Sequence, residues 1–590
     1  MDNQRNLLLA VVLSGLLIFG WDAGMRYFYP QPEVVGASEK VDTPAEQAAI
    51  ADAPPGERPH SRQGGLIDPR DIAQEEADLE VALAQADRVP IDAPRLAGSV
   101  NPTGAVIDDI VLKDHRASVD KDSGPVRIFS PRGTPAQQFA QFGWVGTGVA
   151  VPDINTRWQV EGGSLAQGRP VTLTHDNGEG QLFTIRLTVD ANYMITAEQT
   201  VANTGGRPVV VRPFALVNRT RRTASDDLWV AHSGPIGVFG DSVSYGPDYD
   251  DVAEGENAAA GRADWIGFTD IYWLSALVPM EGSQASGDFR ALGNDIFRSD
   301  LLYQPVTVAP GRQVTRSTQL FAGAKESTVL DGYQDAGIPL FGLAVDWGWF
   351  RWFEKPFLWL LKQFNALVGN FGIAIIMLTI VVRGLMFPIA QKQFASMASM
   401  KAIQPKMKAI QERHKDDRVK QQQEMQKLFK DEGVNPLAGC LPLILQIPIF
   451  FALYKVLILA IEMRHEPFLY IRDLSAPDPA TILNLFGLLP FTPPSFLAIG
   501  VLAVLLGITM WLTFKMNPSQ MDPMQQQIFN IMPWVLMFVM APFAAGLLLY
   551  WVTSNVLTLA QQKYLYSQHP QLRAQAEKDR AEKAKAKAET

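Results

Sequence analysis

The chain has 590 residues, of which 47% are hydrophobic and 19% are charged, and its formal net charge is −9. This length accommodates several domains, and the low charged fraction argues against a protein that is soluble throughout. The chain has a single cysteine, Cys440, which excludes a fold that depends on internal disulfide bonds. The sequence contains neither a Walker A loop nor a G-x-S-x-G motif, so it gives no sign of nucleotide or α/β-hydrolase chemistry.

An apolar segment from Asn6 to Trp21 follows Arg5 and lacks a clear small-residue cleavage site. It predicts a transmembrane anchor within residues 1–28, and a cleaved signal peptide is the alternative. Residues 29–95 are rich in Pro, Ala, Asp, Glu and Gln without sustained periodicity. That composition predicts a flexible linker between the anchor and the next domain.

Residues 96–340 have the pattern of an all-β sandwich. In FTIRLTVD, which begins at Phe183, apolar and polar residues alternate with the period of a half-buried strand. YMITAEQTV follows after a short turn, which predicts a hairpin, and VVVRPFALV and QVTRSTQLFAG add further strands. The aromatic cluster DWIGFTDIYW, 264–273, is suited to stacking on a sugar, but in a sandwich we expect it to fill the core. The seven histidines show no metal-ligand spacing.

The second half of the chain is dominated by apolar segments. Residues 345–365 predict an amphipathic helix that lies in the lipid–water interface on the outer side of the membrane, with its tryptophans at headgroup depth. Five further segments are near the roughly 20 residues that a spanning helix requires. These predicted transmembrane helices are 366–389, 437–461, 496–514, 528–542 and 545–564.

Basic residues set the expected orientation of these helices. Residues 390–434 predict a helical hairpin, and positions 391–432 hold ten Lys or Arg against six Asp or Glu. The tail, 565–590, is also basic. By the positive-inside rule both belong in the cytoplasm, so six spans place both termini inside and the β-sandwich outside.

The predicted hairpin has an apolar stripe and several basic side chains. The stripe is methionine-rich and forms the seam between the two hairpin helices, with transient contact to an apolar client as the alternative. The basic side chains predict contact with anionic lipid headgroups or ribosomal RNA. The stripe consists of Met397, Met400, Ile403, Met407 and Ile410, and the basic contact set of Lys406, Lys408, Arg413 and Lys415.

Five stretches together resemble one family. They are MDNQRNLLL at the start, VVRGLMFP (381–388), NPLAGCLPLILQIPIFFALY (435–454), DPMQQQIFNIMP (522–533) and GLLLYWVTSN (546–555). These stretches are similar to the YidC-type membrane protein insertases of Gram-negative bacteria, in the form with a large periplasmic domain. The resemblance implies a polytopic α-helical protein of the bacterial inner membrane, with six transmembrane helices, five of which form the insertase core, and a periplasmic β-supersandwich-like domain.

The same resemblance implies a function. It indicates a membrane insertase and chaperone, not an enzyme, that works alone or with the Sec translocon and uses no nucleotide, metal or other cofactor. The implied partners are nascent inner-membrane proteins, the Sec translocon with its accessory subunits, the ribosome and membrane lipids, but not DNA.

A hydrophilic groove inside the membrane is the implied site. Arg383 matches the family's groove arginine, and Thr379 matches a polar position one turn earlier. Tyr550 and Trp551 match an aromatic pair on the last helix, although the second position is often Tyr in the family. The groove is expected to open to the cytoplasm and to the lipid and to be closed toward the outside.

Polar residues within the apolar segments support a shared cavity independently of the resemblance. Gln446, Ser554 and Asn555 lie mid-span, and buried amides need partners that neighbouring helices or water can supply. Ordinary interhelical hydrogen bonding is the alternative for each of them, and snorkelling to the headgroups is the alternative for Arg383.

Two other functions remain open from the residues alone. A small-anion transporter or channel could use Arg383 as its binding residue, but such proteins more often contain paired repeats with broken helices, which this sequence lacks. An envelope enzyme or glycan-binding protein anchored by its helices would leave Arg383 and the basic hairpin unexplained.

Overall fold

The structure is a computed structural model that describes most of the chain downstream of residue 60. The predicted anchor, residues 29–60 of the predicted linker, Cys440 and the tail beyond Gln568 lie outside the described residues. The described residues belong to one unit, His60–Thr590. They are 61, 63–85, 87–120, 122–226, 231–255, 261–280, 285–348, 351–415, 417–433, 441–486, 489, 498–516 and 523–568.

The prediction of a flexible linker over 29–95 is wrong at its C-terminal end. Helix α1, Pro69–Leu83, begins where the side chain of Asp68 accepts a hydrogen bond from the backbone N–H of Arg70 at 2.8 Å, with proline in the first turn. The buried Glu75 accepts the N–H of Ala136 through Oε2 at 2.7 Å. Packing on the next domain therefore orders a segment whose composition alone indicates disorder.

Nineteen strands build the domain that follows. In chain order they are β1 Val89–Asp92, β2 Leu96–Asn101, β3 Val106–Arg116, β4 Pro125–Phe129, β5 Gln138–Thr147, β6 Gln159–Glu161, β7 Val171–Asp176, β8 Gln181–Val189, β9 Met194–Asn203, β10 Val209–Thr220, β11 Gly234–Phe239, β12 Ser242–Ser244, β13 Gly261–Arg262, β14 Trp265–Thr269, β15 Trp273–Pro279, β16 Ala285–Gly293, β17 Ile296–Tyr303, β18 Val306–Val308 and β19 Arg312–Ala324.

These strands form two antiparallel sheets, as the sequence predicts for a sandwich. One has the order β1-β2-β3-β5-β10-β17-β16-β13, with β4 beside β3 and β18 beside β10, and the other has the order β12-β11-β14-β15-β19-β9-β8-β7-β6. Trp144 on β5 and Phe183 on β8 meet between the sheets with ring centroids 5.2 Å apart. The buried side chains of both sheets thus share one core.

The hairpin predicted from alternation is confirmed. Along β8 the residues Phe183, Ile185 and Leu187 are buried, and their neighbours are partly or fully exposed. β8 pairs with β9 so that Val189 lies opposite Ile195. The Asp190 side chain accepts backbone N–H bonds in the turn, which satisfies groups that the ladder leaves unpaired.

Helices dominate the described residues after the sandwich. Two short helices belong to the β domain, and eight longer ones follow along the chain. In chain order the helices are α2 Tyr249–Ala253, α3 Ser327–Asp335, α4 Arg351–Val368, α5 Phe371–Ala402, α6 Gln404–Arg413, α7 Arg418–Asp431, α8 Leu441–Leu459, α9 Val501–Met516, α10 Pro523–Met540 and α11 Ala545–Gln568, with single 3₁₀ turns at Arg221–Thr223, Phe341–Ala344 and Ile461–Met463.

One helical segment among the described residues, Phe371–Gln393, is long and apolar enough to cross a membrane. Three apolar helices there are shorter: Gln446–Leu459, Val501–Met516 and Asn530–Met540.

Two predicted boundaries around α5 differ from the structure. The interfacial helix and the first core span, predicted as 345–365 and 366–389, are separated at Gly369, whose φ of 69° favours glycine. Asn370 then caps α5 by accepting the N–H of Ile373 at 3.1 Å. At the other end α5 continues through Pro388 to Ala402, so the hairpin that was predicted to begin at 390 begins at α6.

The basic hairpin consists of α6 and α7. Lys406 forms an ion pair with Glu432 at 2.5 Å, and His414 Nε2 lies 3.2 Å from Glu424 Oε2. Within the predicted stripe Ile403 is buried, and Met407 and Ile410 are half-buried. On α7, Met425, Leu428 and Phe429 are also half-buried. The side chains of Met397 and Met400 lie outside the described residues.

Arg464 joins the β domain to the helical part of the chain, α4 to α11, which we call the membrane half. It lies in the loop after α8, and its guanidinium donates to the backbone carbonyls of Arg116 at 2.7 Å and Ala117 at 3.1 Å. A further bond reaches Gln63 Oε1 at 3.2 Å, and the Trp273 ring lies 5.1 Å away. The loop after α8 is therefore held against the sandwich by a buried cation.

A buried carboxyl group marks the packing of α4. Glu354 is fully buried, and neither carboxyl oxygen has a hydrogen-bond partner among the described residues. Burial raises the pKa of Glu354 to about 8, a shift that Lys455 opposes and Asp346 reinforces. Lys455 instead donates to the backbone carbonyl of Asp346 at 2.7 Å. The packing of α4 therefore favours the neutral form of this side chain.

The sign of this shift gives a pH dependence. The pKa of Glu354 is higher in the folded protein than its ordinary value of 4.5, so its contribution to stability is complete below about pH 4.5 and is lost as the pH rises through about 8. Glu354→Gln stays neutral, so we expect it to match the wild type near pH 5 and to raise the melting temperature by about 2 to 4 °C at pH 9.

Thermal unfolding of the purified protein at both pH values measures this effect. Glu76→Gln on the exposed face of α1 is the matched control and should change neither value. An equal shift for Glu354→Gln at both pH values would contradict the assignment.

Candidate functional site

Arg383 lies on α5 and bonds to a hydroxyl group on α11. Its Nε donates to Ser554 Oγ at 2.8 Å, and Nη2 donates to the same oxygen at 2.5 Å. Its backbone carbonyl accepts from Gln561 Nε2 at 3.4 Å. In the part of the chain that the structure describes, no carboxylate pairs with this guanidinium. The positive charge is thus held in place without being neutralised.

A second bond extends this contact to α8. Gln446 Nε2 donates to Tyr550 Oη at 2.6 Å, and Tyr550 lies one helical turn before Ser554 on α11. Tyr550 and Ser554 are buried, whereas Arg383 and Gln446 are half-buried. The four side chains lie together across three helices, and we call them the polar row: Gln446, Tyr550, Ser554 and Arg383.

The other three predicted groove residues do not join the polar row. Thr379 is fully buried and donates to the Ile375 carbonyl of its own helix at 2.7 Å. Asn555 donates to Thr509 Oγ1 on α9 at 3.2 Å, which is an ordinary interhelical bond. Trp551 contacts the Phe450 ring at a centroid distance of 5.0 Å.

Helix geometry explains which residues of α11 meet. Tyr550, Ser554 and Gln561 are four and seven residues apart, so they lie on one face of the helix. Asn555 follows Ser554 directly and is therefore rotated by about 100° toward α9. Gln561 and Thr509 are not among the predicted groove residues; the spacing from Ser554 indicates Gln561, but no local signal indicates Thr509.

Three apolar side chains close to Arg383 along α5 are exposed. Ile380, Val381 and Leu385 are exposed beside Arg383. Exposed apolar residues in such a row are typical of a surface that contacts lipid or another apolar partner. A fixed positive charge therefore lies next to an apolar surface.

The predicted cytoplasmic contact residues are distributed over the hairpin. Lys406 is engaged by Glu432, whereas Arg413 at the end of α6 and Lys415 in the following turn are exposed. Lys408 lies in α6, but its side chain is outside the described residues.

Among the residues described, no cluster of His, Cys, Asp and Glu has the arrangement of a metal site.

Comparisons with known proteins cover almost the whole chain. The family model described as "60Kd inner membrane protein" matches residues 363–572, and the model "YidC periplasmic domain" matches residues 88–360. A protein of Zymomonas mobilis named "Membrane protein insertase YidC" is 43% identical over 586 residues, which cover 98% of this chain and 98% of that protein. A Bradyrhizobium diazoefficiens protein of the same name is 42% identical, covering 96% of each chain.

A solved structure gives a weaker match. It is described as "Active YidC insertase crystal structure with the first transmembrane domain resolved", and it is 19% identical with a TM-score of 0.35. The alignment covers 83% of this chain and 98% of that one.

Water access to the polar row can be tested with two adjacent residues. In a Cys440→Ser background, we expect Gln446→Cys to react with a charged, membrane-impermeant thiol reagent in native membranes. Ile447→Cys should react several-fold more slowly, because the thiolate that reacts forms in water and not in lipid. Residues 446 and 447 lie at the same depth but point about 100° apart on α8. Equal protection of both cysteines would show that the row is dry.

Proposed function

Since the chain belongs to the YidC family of membrane protein insertases, we propose that it inserts and helps to fold inner-membrane proteins through a hydrophilic groove built around the polar row. The observation that carries this proposal is Arg383, whose charge is held by the Ser554 hydroxyl beside an apolar outer surface. The alternative of a small-anion transporter or channel has no support among the relatives, whose names are those of insertases.

The groove lowers an electrostatic cost. A polar or acidic segment of a client protein must cross hydrocarbon, where it loses its hydrogen bonds to water. Arg383 supplies a fixed positive charge, and Tyr550 and Ser554 supply hydroxyl groups that both donate and accept. The polar segment therefore exchanges part of its hydration for contacts within the groove, and no covalent step is needed.

A short apolar helical segment also lowers the free-energy cost of moving a polar segment across the hydrocarbon. The apolar part of α10, Asn530–Met540, is 11 residues long, about 16 Å as a helix, against roughly 30 Å of hydrocarbon. Such a mismatch favours local thinning of the bilayer. Ile531, Val535 and Phe538 on this helix are exposed, so the apolar segment of a client can pass into lipid beside them, driven by the hydrophobic effect.

The proposed topology has six spans, five of which form the insertase core, with both termini in the cytoplasm and the β domain in the periplasm. Two features of α8 support it. The loop after α8 bonds to the β domain through Arg464, whereas the basic hairpin precedes the other end of α8. The hairpin and the sandwich thus approach this helix from opposite ends, and the positive-inside rule assigns the hairpin end to the cytoplasm.

The proposal also names the partners of the protein. Nascent inner-membrane proteins are the clients, and the Sec translocon with its accessory subunits acts beside the protein for some of them. The ribosome and anionic lipids contact the hairpin through basic residues such as Arg413 and Lys415, which are exposed.

Clients that differ only in tail charge test the role of Arg383. If the groove uses a positive charge, Arg383→Lys should keep most insertion of clients with acidic tails, and Arg383→Glu should reduce it by about tenfold or more. Clients with short, uncharged tails should lose less, because apolar burial dominates their insertion. Protease protection of paired clients in vesicles measures both.

Thr379→Val is the matched control, since Thr379 bonds only to its own helix and should affect both clients equally. Equal defects of Arg383→Glu for acidic and uncharged tails would contradict attraction by charge.

The hairpin generates a separate expectation. Neutralising Lys406, Lys408, Arg413 and Lys415 to Gln should weaken co-sedimentation with ribosomes at low salt and reduce its salt dependence. Replacing four exposed basic residues of the β domain by Gln, namely Arg132, Arg169, Arg207 and Arg312, is the control for net charge. Unchanged ribosome binding in the hairpin variant would leave these residues as topology signals only.

A further inference from the structure

The apolar stretch that contains α9 is longer than the helix itself. No charged residue occurs between Asp478 and Lys515, but the helix covers only Val501–Met516. Its 16 residues span about 24 Å, roughly 6 Å less than the hydrocarbon of a bilayer. Lys515 Nζ lies 4.5 Å from the ring centroid of Trp511, and such residues mark the membrane interface at the cytoplasmic end of α9 in the proposed topology. The shortfall is therefore on the periplasmic side, next to residues 480–489.

Residues 480–489, which we call the outer segment, expose apolar side chains and bury polar ones. The structure describes residues 480–486 and 489 of this segment. Thr481 and Asn484 are buried, at 4% and 7% exposed. Five large apolar side chains are between 41% and 59% exposed: Ile482, Leu483, Leu485, Phe486 and Leu489. A loop in water favours the opposite arrangement, so this surface is suited to an apolar environment.

Polar groups of the outer segment are bonded inside the protein. The backbone N–H of Phe486 donates to the carbonyl of Thr481 at 2.8 Å, and Asn484 Nδ2 donates to the carbonyl of Pro479 at 3.2 Å. Hydrocarbon offers no hydrogen bonds, so a loop in contact with lipid needs such internal partners. Leu485 and Phe486 have φ values of 51° and 61°, which are unfavourable for large side chains, yet both remain exposed. Strained residues of this kind are concentrated at functional sites.

The outer segment is attached to the start of α9. The backbone N–H of Ile482 donates to the carbonyl of Ile499 at 3.1 Å, and the carbonyl of Ala480 accepts the N–H of Val501 at 3.1 Å. Exposed apolar side chains three and four residues apart form one stripe along α9. They are Leu505, Ile508 and Leu512. The outer segment therefore adjoins the periplasmic end of a helix that has an apolar surface for lipid.

We propose that the outer segment inserts among the lipid acyl chains of the periplasmic leaflet, where it extends the lipid-facing surface of α9. This proposal rests on the membrane-spanning arrangement of α8 and α9 proposed above. The five exposed apolar side chains gain burial in lipid, while the buried Thr481 and Asn484 stay within the protein. The bilayer beside this end of α9 then keeps its thickness, in contrast to the thinning proposed beside α10.

Spin labels on single cysteines test this proposal in the whole chain, reconstituted into vesicles of phosphatidylethanolamine and phosphatidylglycerol. In a Cys440→Ser background, Leu483→Cys and Phe486→Cys carry the label in the outer segment, and Ile508→Cys carries it in α9. Arg472→Cys is the matched control, because Arg472 lies in the same loop and its side chain is 76% exposed. Oxygen concentrates in hydrocarbon and a charged nickel chelate stays in water. We expect the ratio of oxygen to chelate access at 483 and 486 to exceed that at 472 several-fold.

The other outcomes are distinct. Chelate access at 483 and 486 equal to that at 472 would overturn the proposal, since the outer segment would then lie in water. Low access of both reagents would also overturn it, because protein, such as a second copy of the chain, would then cover the segment. If oxygen dominates at 508, either result concerns the outer segment alone. Dominant chelate access at 508 would contradict the spanning of α9 and, with it, this proposal.

Discussion

A guanidinium group inside a bilayer needs hydrogen-bond acceptors from the protein, and Arg383 finds one in the Ser554 hydroxyl. A carboxylate at that place would neutralise the charge and form a closed pair that incoming groups could not use. A hydroxyl fixes the side chain but leaves its charge available. Tyr550 lies one turn before Ser554 on the same helix and accepts a hydrogen bond from Gln446, so these contacts bring α5, α8 and α11 together.

The residues predict this architecture well where a pattern is local and poorly where the partner is distant. Alternation along β8 identifies the sandwich because burial on one face repeats every second residue. The amino-acid composition of residues 69–83 does not predict that α1 is ordered. The helix is stabilised by bonds such as that of Glu75 with Ala136, which is 61 residues away in the sequence. Polar residues inside apolar spans indicate a polar site, but the partners of Thr379 and Asn555 depend on helix rotation and packing, which no single sequence reveals.

The helix boundaries show a related limit. An apolar run crosses Gly369 without a change of composition, so the break between α4 and α5 depends on a backbone conformation instead. At the other end, Pro388 and the following polar residues do not interrupt α5. Its 32 residues span about 48 Å, well beyond the roughly 30 Å of hydrocarbon. The helix that carries Arg383 thus continues without interruption to the start of the hairpin. A single α-helix therefore connects Arg383 to the hairpin.

Arg464 recognises the sandwich through main-chain oxygens, those of Arg116 and Ala117, and not through acidic side chains. Every residue type presents the same carbonyl, so substitutions at these two positions leave the acceptors in place as long as the backbone keeps its path. Side-chain substitutions at these two positions therefore leave this part of the attachment to the membrane half in place. These two bonds depend on the course of a loop, and they are more sensitive to an insertion or deletion there than to a point mutation.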